Sequence, residues 1–225
     1  MKTKWFNANF QKSYDEFYNS IINTPFNEDR GWGFSINKYD NDSLSSKYIE
    51  RVELKETIID PYGNETSFEY FKFIQFNFWL IKENTNDYLL IVESAPRSIK
   101  DFISNVIIAT SSNFNVSNLN IKIEDFIKVV SKRFENVKVQ KAKLKGLTFS
   151  KHTSGDLEIE SSTDALEEIK IIFNKSSFKI EKARISLGEI PNKEIIEVNS
   201  NGTIIFTEEI FRDISSIIED INLYK

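Results

Sequence analysis

The stretch from Ser67 to Ile81 reads Ser-Phe-Glu-Tyr-Phe-Lys-Phe-Ile-Gln-Phe-Asn-Phe-Trp-Leu-Ile, and seven of its fifteen residues are aromatic. Alternation at period two puts Phe68, Tyr70, Ile74, Phe76, Phe78 and Leu80 on one face, and Phe71, Phe73 and Trp79 on the other. A strand with one face in water would alternate apolar with polar residues. The pattern therefore predicts a central strand covered on both sides.

Its neighbours place it in a meander. Tyr48–Ile59 alternates at its centre, with Val52 and Leu54 opposite Arg51, Glu53 and Lys55, and Asp60-Pro61-Tyr62-Gly63-Asn64 is a strong turn. A polar turn at Lys82–Asp87 leads to the apolar strand Tyr88–Glu93. Two helices are the natural covers. One carries Phe10, Tyr14, Phe17, Tyr18, Ile21 and Ile22, with a capping box from Ser13 to Glu16. The other carries Ile99, Phe102, Ile103, Val106 and Ile107 behind Ser98 as its cap. Gly31-Trp32-Gly33 reads as the entrance to a short strand and Tyr39–Ser46 as a loop. Trp5, Phe6 and Phe10 are either core or an exposed anchor for a partner.

A stretch rich in Ser and Asn, Ser111 to Asn120, marks the expected boundary between domains 1–112 and 113–225. Beyond it come a helix with Ile123, Phe126, Ile127, Val130 and Phe134, and strands near Val137–Phe149 and Asp156–Ser161 turning at Ser154-Gly155. A helix over Asp164–Phe173, a strand over Phe178–Leu187 and a hairpin over Glu194–Phe206 follow. Asn201-Gly202 favours a type I′ turn there. The last helix has a clean stripe of Ile210, Phe211, Ile214, Ile217, Ile218 and Ile221. The expected class is α+β: antiparallel sheets with flanking helices, a β-meander half followed by a half that is a variant of the ferredoxin-like pattern.

Composition narrows the chemistry. With no cysteine and one histidine, thiolate catalysis, disulfides, Cys-containing metal sites and His-rich metal sites are excluded within one chain. No cofactor is expected. The 19 phenylalanines predict an aromatic core. No apolar run approaches the roughly 20 residues that span a bilayer. The N-terminal residues show no apolar signal region, so the expectation is a soluble cytoplasmic protein without a membrane partner.

The strongest local signal is charge. From Lys128 to Lys151 the chain carries Lys128, Lys132, Arg133, Lys138, Lys141, Lys143, Lys145 and Lys151 against Glu135 alone, a local +7 in a chain of net −5. Lys141, Lys143 and Lys145 share parity and therefore a face, followed by Leu147 and Phe149. Such a row can meet phosphates or an acidic protein surface, with Phe149 free to stack on a base. The candidate binding residues are thus Lys138, Lys141, Lys143, Lys145, Phe149 and Lys151. A solvated face or a lysine-protected sheet edge accounts for the same residues and is the more ordinary reading.

Weaker signals complete the survey. Glu53-Leu54-Lys55, with Asp40, Asp42 and Glu16, has the form of a strand Glu-x-Lys that could hold Mg²⁺ and activate water. Glu93–Ser98 enters a helix with Arg97 beside it, without a glycine-rich cradle. His152 sits in a polar turn-like stretch with no partners in view. The balance favours a non-catalytic binding protein, a subunit of a larger complex that meets an anionic partner (nucleic acid or acidic protein) through its basic strand. A small Mg-dependent nuclease and a purely protein–protein adaptor are the alternatives.

Overall fold

The computed structural model describes residues 1–173, 177–188 and 193–223. The chain divides into two compact units, Phe6–Ser117 and Met1–Trp5 with Asn118–Lys225. Each is a set of antiparallel strands with flanking helices, the α+β arrangement expected. Strand β1 (Lys2–Phe10) supplies its first residues to one unit and the rest to the other. The sequence reading missed β1 because Phe10 also fits the helical stripe that follows it. Trp5 and Phe10 are fully buried, which removes the exposed-anchor reading. Helix α1 (Tyr14–Ile22) begins after Ser13 with both bonds of the predicted capping box.

In the unit Phe6–Ser117 the strands β2 (Trp32–Tyr39), β3 (Ser43–Ile59), β4 (Glu65–Lys82) and β5 (Asp87–Glu93) lie in the order β2-β3-β4-β5-β1, and β6 (Phe114–Asn118) also pairs with β1. The predicted loop shrinks to Asp40–Asp42, where the Asp40 carboxylate accepts from the backbone of Asp42 and Ser43. Gly33 is where Pro25–Phe26 crosses β2, since a Cβ there would fall 2.3 Å from the Phe26 backbone. That makes Gly31-Trp32-Gly33 a close-packed strand entrance.

Helix α2 (Lys100–Thr110) seats Phe102 among the rings of Phe34, Tyr48, Phe76 and Phe78, at centroid distances of 6.5, 5.2, 5.4 and 5.0 Å. Its N-cap is Ile99 without a side-chain cap bond, while Ser98 Oγ accepts from Lys100 N at 3.3 Å. Helix α1 adds Tyr14, Phe17 and Ile21 to the same core. Both helices therefore cover the even-numbered face of β4.

Here β4 departs from the expectation of a strand covered on both sides. An 11-residue helix is about 16 Å long, whereas an 18-residue strand extends about 60 Å. The buried positions of β4 are Phe76, Phe78 and Leu80, and everything from Glu65 to Phe73 is exposed.

The other unit runs β1-β11-β10-β9-β7-β8, built from β7 (Lys138–Ser150), β8 (Thr153–Glu160), β9 (Lys179–Leu187), β10 (Glu194–Asn199) and β11 (Thr203–Ile205). Its helices are α3 (Ile123–Arg133), α4 (Ala165–Ile172) and α5 (Phe211–Leu223), with a 3₁₀ turn at Glu208–Ile210. Relative to the ferredoxin-like pattern, the variation lies in strand direction. Both neighbours of β7 are antiparallel to it, so α4 connects strands of opposite sense rather than parallel ones. Asp164 caps α4 through Leu166 N and Glu167 N, and its second oxygen accepts from Val139 N at 2.9 Å, tying the helix start to β7.

Two turns differ from the sequence reading. The β7–β8 turn is Lys151-His152, between paired Ser150 and Thr153, not Ser154-Gly155. The β10–β11 connection has a Gly202 N to Asn199 O bond at 3.0 Å with left-handed φ at Gly202 alone. That is a three-residue loop with a glycine bulge, not a type I′ turn. Among the described residues no helix is long and apolar enough to cross a membrane.

Candidate functional site

The β3–β4 hairpin continues past the strands that flank it. Pairing of β2 with β3 ends at Glu50, and that of β5 with β4 begins at Phe78, whereas β3 and β4 pair without interruption from Ser43–Ile81 to Ile59–Glu65. The nine residue pairs from Arg51–Phe73 outward form a two-stranded arm roughly 30 Å long at about 3.3 Å per residue. Its turn is fixed by Asp60, whose carboxylate accepts from the backbone of Tyr62 and Asn64 and from the Asn64 side chain.

The arm is apolar and open to water. Ile58, Ile59, Tyr62, Phe68, Tyr70, Phe71 and Phe73 are exposed by 41% (Tyr70) to 90% (Tyr62). At about 200 Å² for a fully exposed aromatic side chain, these residues present roughly 700 Å², more than the largest patch on a typical monomer. Two strands with no third strand and no helix over them are marginal in water.

The two faces of the arm are not alike. On the odd-numbered face the Arg51 guanidinium lies 4.6 Å over the Phe71 ring, Phe73 lies 6.2 Å from Phe26, and Lys55 pairs with Glu69 at 3.2 Å. The even-numbered face carries Val52, Leu54, Ile58, Phe68, Tyr70 and Ile74, with one polar contact of its own, the Tyr70 hydroxyl donating to Glu56 at 2.6 Å. At its foot, burial raises the Glu50 carboxyl above the usual carboxylate range, against a hydrogen bond with Tyr48 that lowers it.

The lysine strand is a laced surface. Lys141 pairs with Glu158 at 2.8 Å, Lys143 with Glu181 at 2.6 Å, Lys145 with Glu181 at 3.5 Å and Lys182 with Glu197 at 2.7 Å. The acids come from β8, β9 and β10, so a charge run that is lopsided along the chain is largely compensated across the sheet. Lys141, Lys143, Lys182 and Arg184, with Glu158 and Glu197, line an open cleft of about 140 Å³. Lys138 and Lys151 are exposed and make no ion pair among the described residues. Phe149 does not share the lysine face. A bulge at Gly146, with φ of 66°, flips the alternation so that Leu147 turns inward with Ala142 and Leu144. Phe149 instead packs edge-on against Phe173 at 5.9 Å.

These pairs shift the carboxylates in a direction that can be tested. A hydrogen bond from Lys141 holds Glu158 below the usual carboxylate range, and one from Lys143 does the same for Glu181. A lowered folded-state value means the interaction is present above the unfolded-state value and is lost as pH falls through the folded one. Carboxyl NMR titration should therefore show Lys141→Ala returning Glu158 toward its ordinary value while leaving Glu181 low. An unchanged Glu158 would refute the pairing.

The residues of the Glu-x-Lys constellation are not brought together. Asp40 lies beyond Ser43 and Glu53 ten residues along the same extended strand, roughly 33 Å away at about 3.3 Å per residue. Glu16 is held by Ser13 in the capping box and Lys55 by Glu69. Among the described residues no group of three or more acidic, His or Cys side chains could hold a metal ion. His152 is exposed at the β7–β8 turn, its backbone N donating to Ser150 Oγ. The exposed arm was missed because its aromatic alternation is also the pattern of a buried strand. Its polar partner, Arg51–Lys55, was the available sign. Neither the family models nor the curated proteins compared with the chain match it.

Proposed function

We propose that the chain is a non-catalytic binding protein that works within a larger assembly and uses the β3–β4 arm as its contact surface. The observation that carries this reading is the exposed apolar surface of Ile58, Tyr62, Phe68 and Tyr70 on a hairpin with nothing packed over it. Surface of that kind on a soluble fold is a contact surface for another macromolecule, and its extent suits a protein rather than a small ligand. A cytoplasmic setting agrees with a cysteine-free chain, whose core needs no oxidising compartment.

The lysine face is a second reading, supported by the four cations around one cleft. One experiment separates the two. Tagged chain, isolated from its host under native conditions, should bring a stoichiometric protein that is lost from the doubly substituted Phe68→Glu, Tyr70→Glu chain. It should be retained by Lys141→Glu, Lys143→Glu. Loss from the lysine variant alone would transfer the contact to the basic strand, and no associated protein with either would overturn the reading.

A further inference from the structure

The even-numbered face of the arm is nearly palindromic in its chemistry. Five rows of paired residues lie on it: Glu50–Ile74, Val52–Lys72, Leu54–Tyr70, Glu56–Phe68 and Ile58–Thr66. The middle row is apolar. The next row toward the body carries the cation Lys72 and the next toward the tip the anion Glu56. The outermost rows each carry an isoleucine. Lys72 makes no ion pair among the described residues, and Glu56 is engaged only by the Tyr70 hydroxyl, leaving one carboxylate oxygen open.

From this pattern we infer that the arm's partner is a second copy of the same chain, the two even-numbered faces packing antiparallel about the Leu54–Tyr70 row. This rests on the reading of the arm as a contact surface and names what contacts it. Inverting one arm over the other puts each Lys72 above the Glu56–Phe68 row of the other copy, so two ion pairs form by one symmetry operation. Such a contact is isologous and closes at a dimer. Because Leu54–Tyr70 is the middle of the five rows, each arm covers the whole free length of the other. A basic partner would leave Lys72 opposed, and an acidic one would leave Glu56 opposed. Only a surface carrying both charges in inverted order satisfies the face, and the arm itself is such a surface.

Face-to-face packing sets the two hairpins about 10 Å apart, the spacing of stacked sheets. The odd-numbered faces, already furnished with Arg51 over Phe71 and the Lys55–Glu69 pair, would remain outside. The contact buries roughly 1,000 Å² in total, at the small end of specific interfaces, so association should depend on concentration.

Sedimentation velocity of the purified full chain, from low micromolar to several hundred micromolar, tests it. The expected result is a shift from a 26.2 kDa species toward twice that mass. Glu56→Lys and Lys72→Glu should each weaken self-association by about tenfold or more, and the double substitution should restore it, since the swapped pair has the same geometry. Rescue is a signature that mere damage to the hairpin would not give, and circular dichroism of each variant checks the fold.

A monomer at every concentration would overturn the inference, as would a dimer insensitive to both single substitutions. So would single losses without rescue. A monomer whose arm still retains a different protein in the isolation experiment would sink the second-copy assignment while leaving the contact-surface reading standing. Failure of both would remove the arm from consideration.

Discussion

Replacing Phe102 by alanine should cost about 3–5 kcal/mol of stability, the range for deleting a fully buried aromatic ring and leaving a cavity. Phe102 is 1% exposed and is the one helix residue whose ring contacts Phe34, Tyr48, Phe76 and Phe78 together, so its loss opens a void that four stiff rings cannot fill by rotating. The neighbouring buried bond from Asn105 to the Tyr48 hydroxyl, at 2.6 Å, would lose its shelter from water as well. Thermal unfolding should move down by roughly 10 °C or more. Denaturant unfolding monitored by near-ultraviolet dichroism would report the same loss. A cost under about 1 kcal/mol would mean that α2 is not packed over this sheet.

A comparable loss is expected from Gly202→Ala, for a different reason. Gly202 has a left-handed φ of 85°, and a Cβ there would lie 2.7 Å from the Leu119 carbonyl oxygen and 2.8 Å from that of Trp5. Both oxygens belong to backbone, so neither can rotate away. The left-handed conformation alone costs a non-glycine residue about 1–2 kcal/mol, and overpacking adds about 1–3 more. The control is Gly63→Ala in the arm's turn, where φ is 88° but nothing lies within 4 Å of the added carbon. Its cost should stop at the conformational part. Equal losses at the two positions would show that steric overlap at Gly202 contributes nothing.

The two substitutions also mark how differently the two halves could be read. The amphipathic stripes on α1, α3 and α5, the capping box at Ser13–Glu16 and the β3–β4 register follow from local periodicity, which survives in any fold that buries the stripe. Gly202 was recognisable as a turn glycine. That its neighbours would be Leu119 and Trp5, more than eighty residues away, was not.

Charge misled along the chain because the sequence orders residues in one dimension and a sheet in two. Eight cations within twenty-four residues suggested a bare basic strip, yet Glu158, Glu181 and Glu197 stand across the ladder from Lys141, Lys143 and Lys182. The Gly146 bulge then separated Phe149 from the lysines by reversing the alternation, a change of one residue that moves every later side chain to the opposite face.

By itself the sequence determined that Ser67–Ile81 is a strand, that it pairs with the strand before it through an Asp60–Asn64 turn, and which residues share each of its faces. Those properties depend on period-two alternation and turn chemistry, and both are local. Whether a face is covered is not local, because it depends on how far the helices above it reach. Helix α2 is 11 residues long and β4 is 18, so the cover ends near Phe76 and the same aromatic pattern is core at one end and open surface at the other. Only the tertiary structure could decide that, since the mismatch is between a rise of about 1.5 Å per helical residue and about 3.3 Å per strand residue.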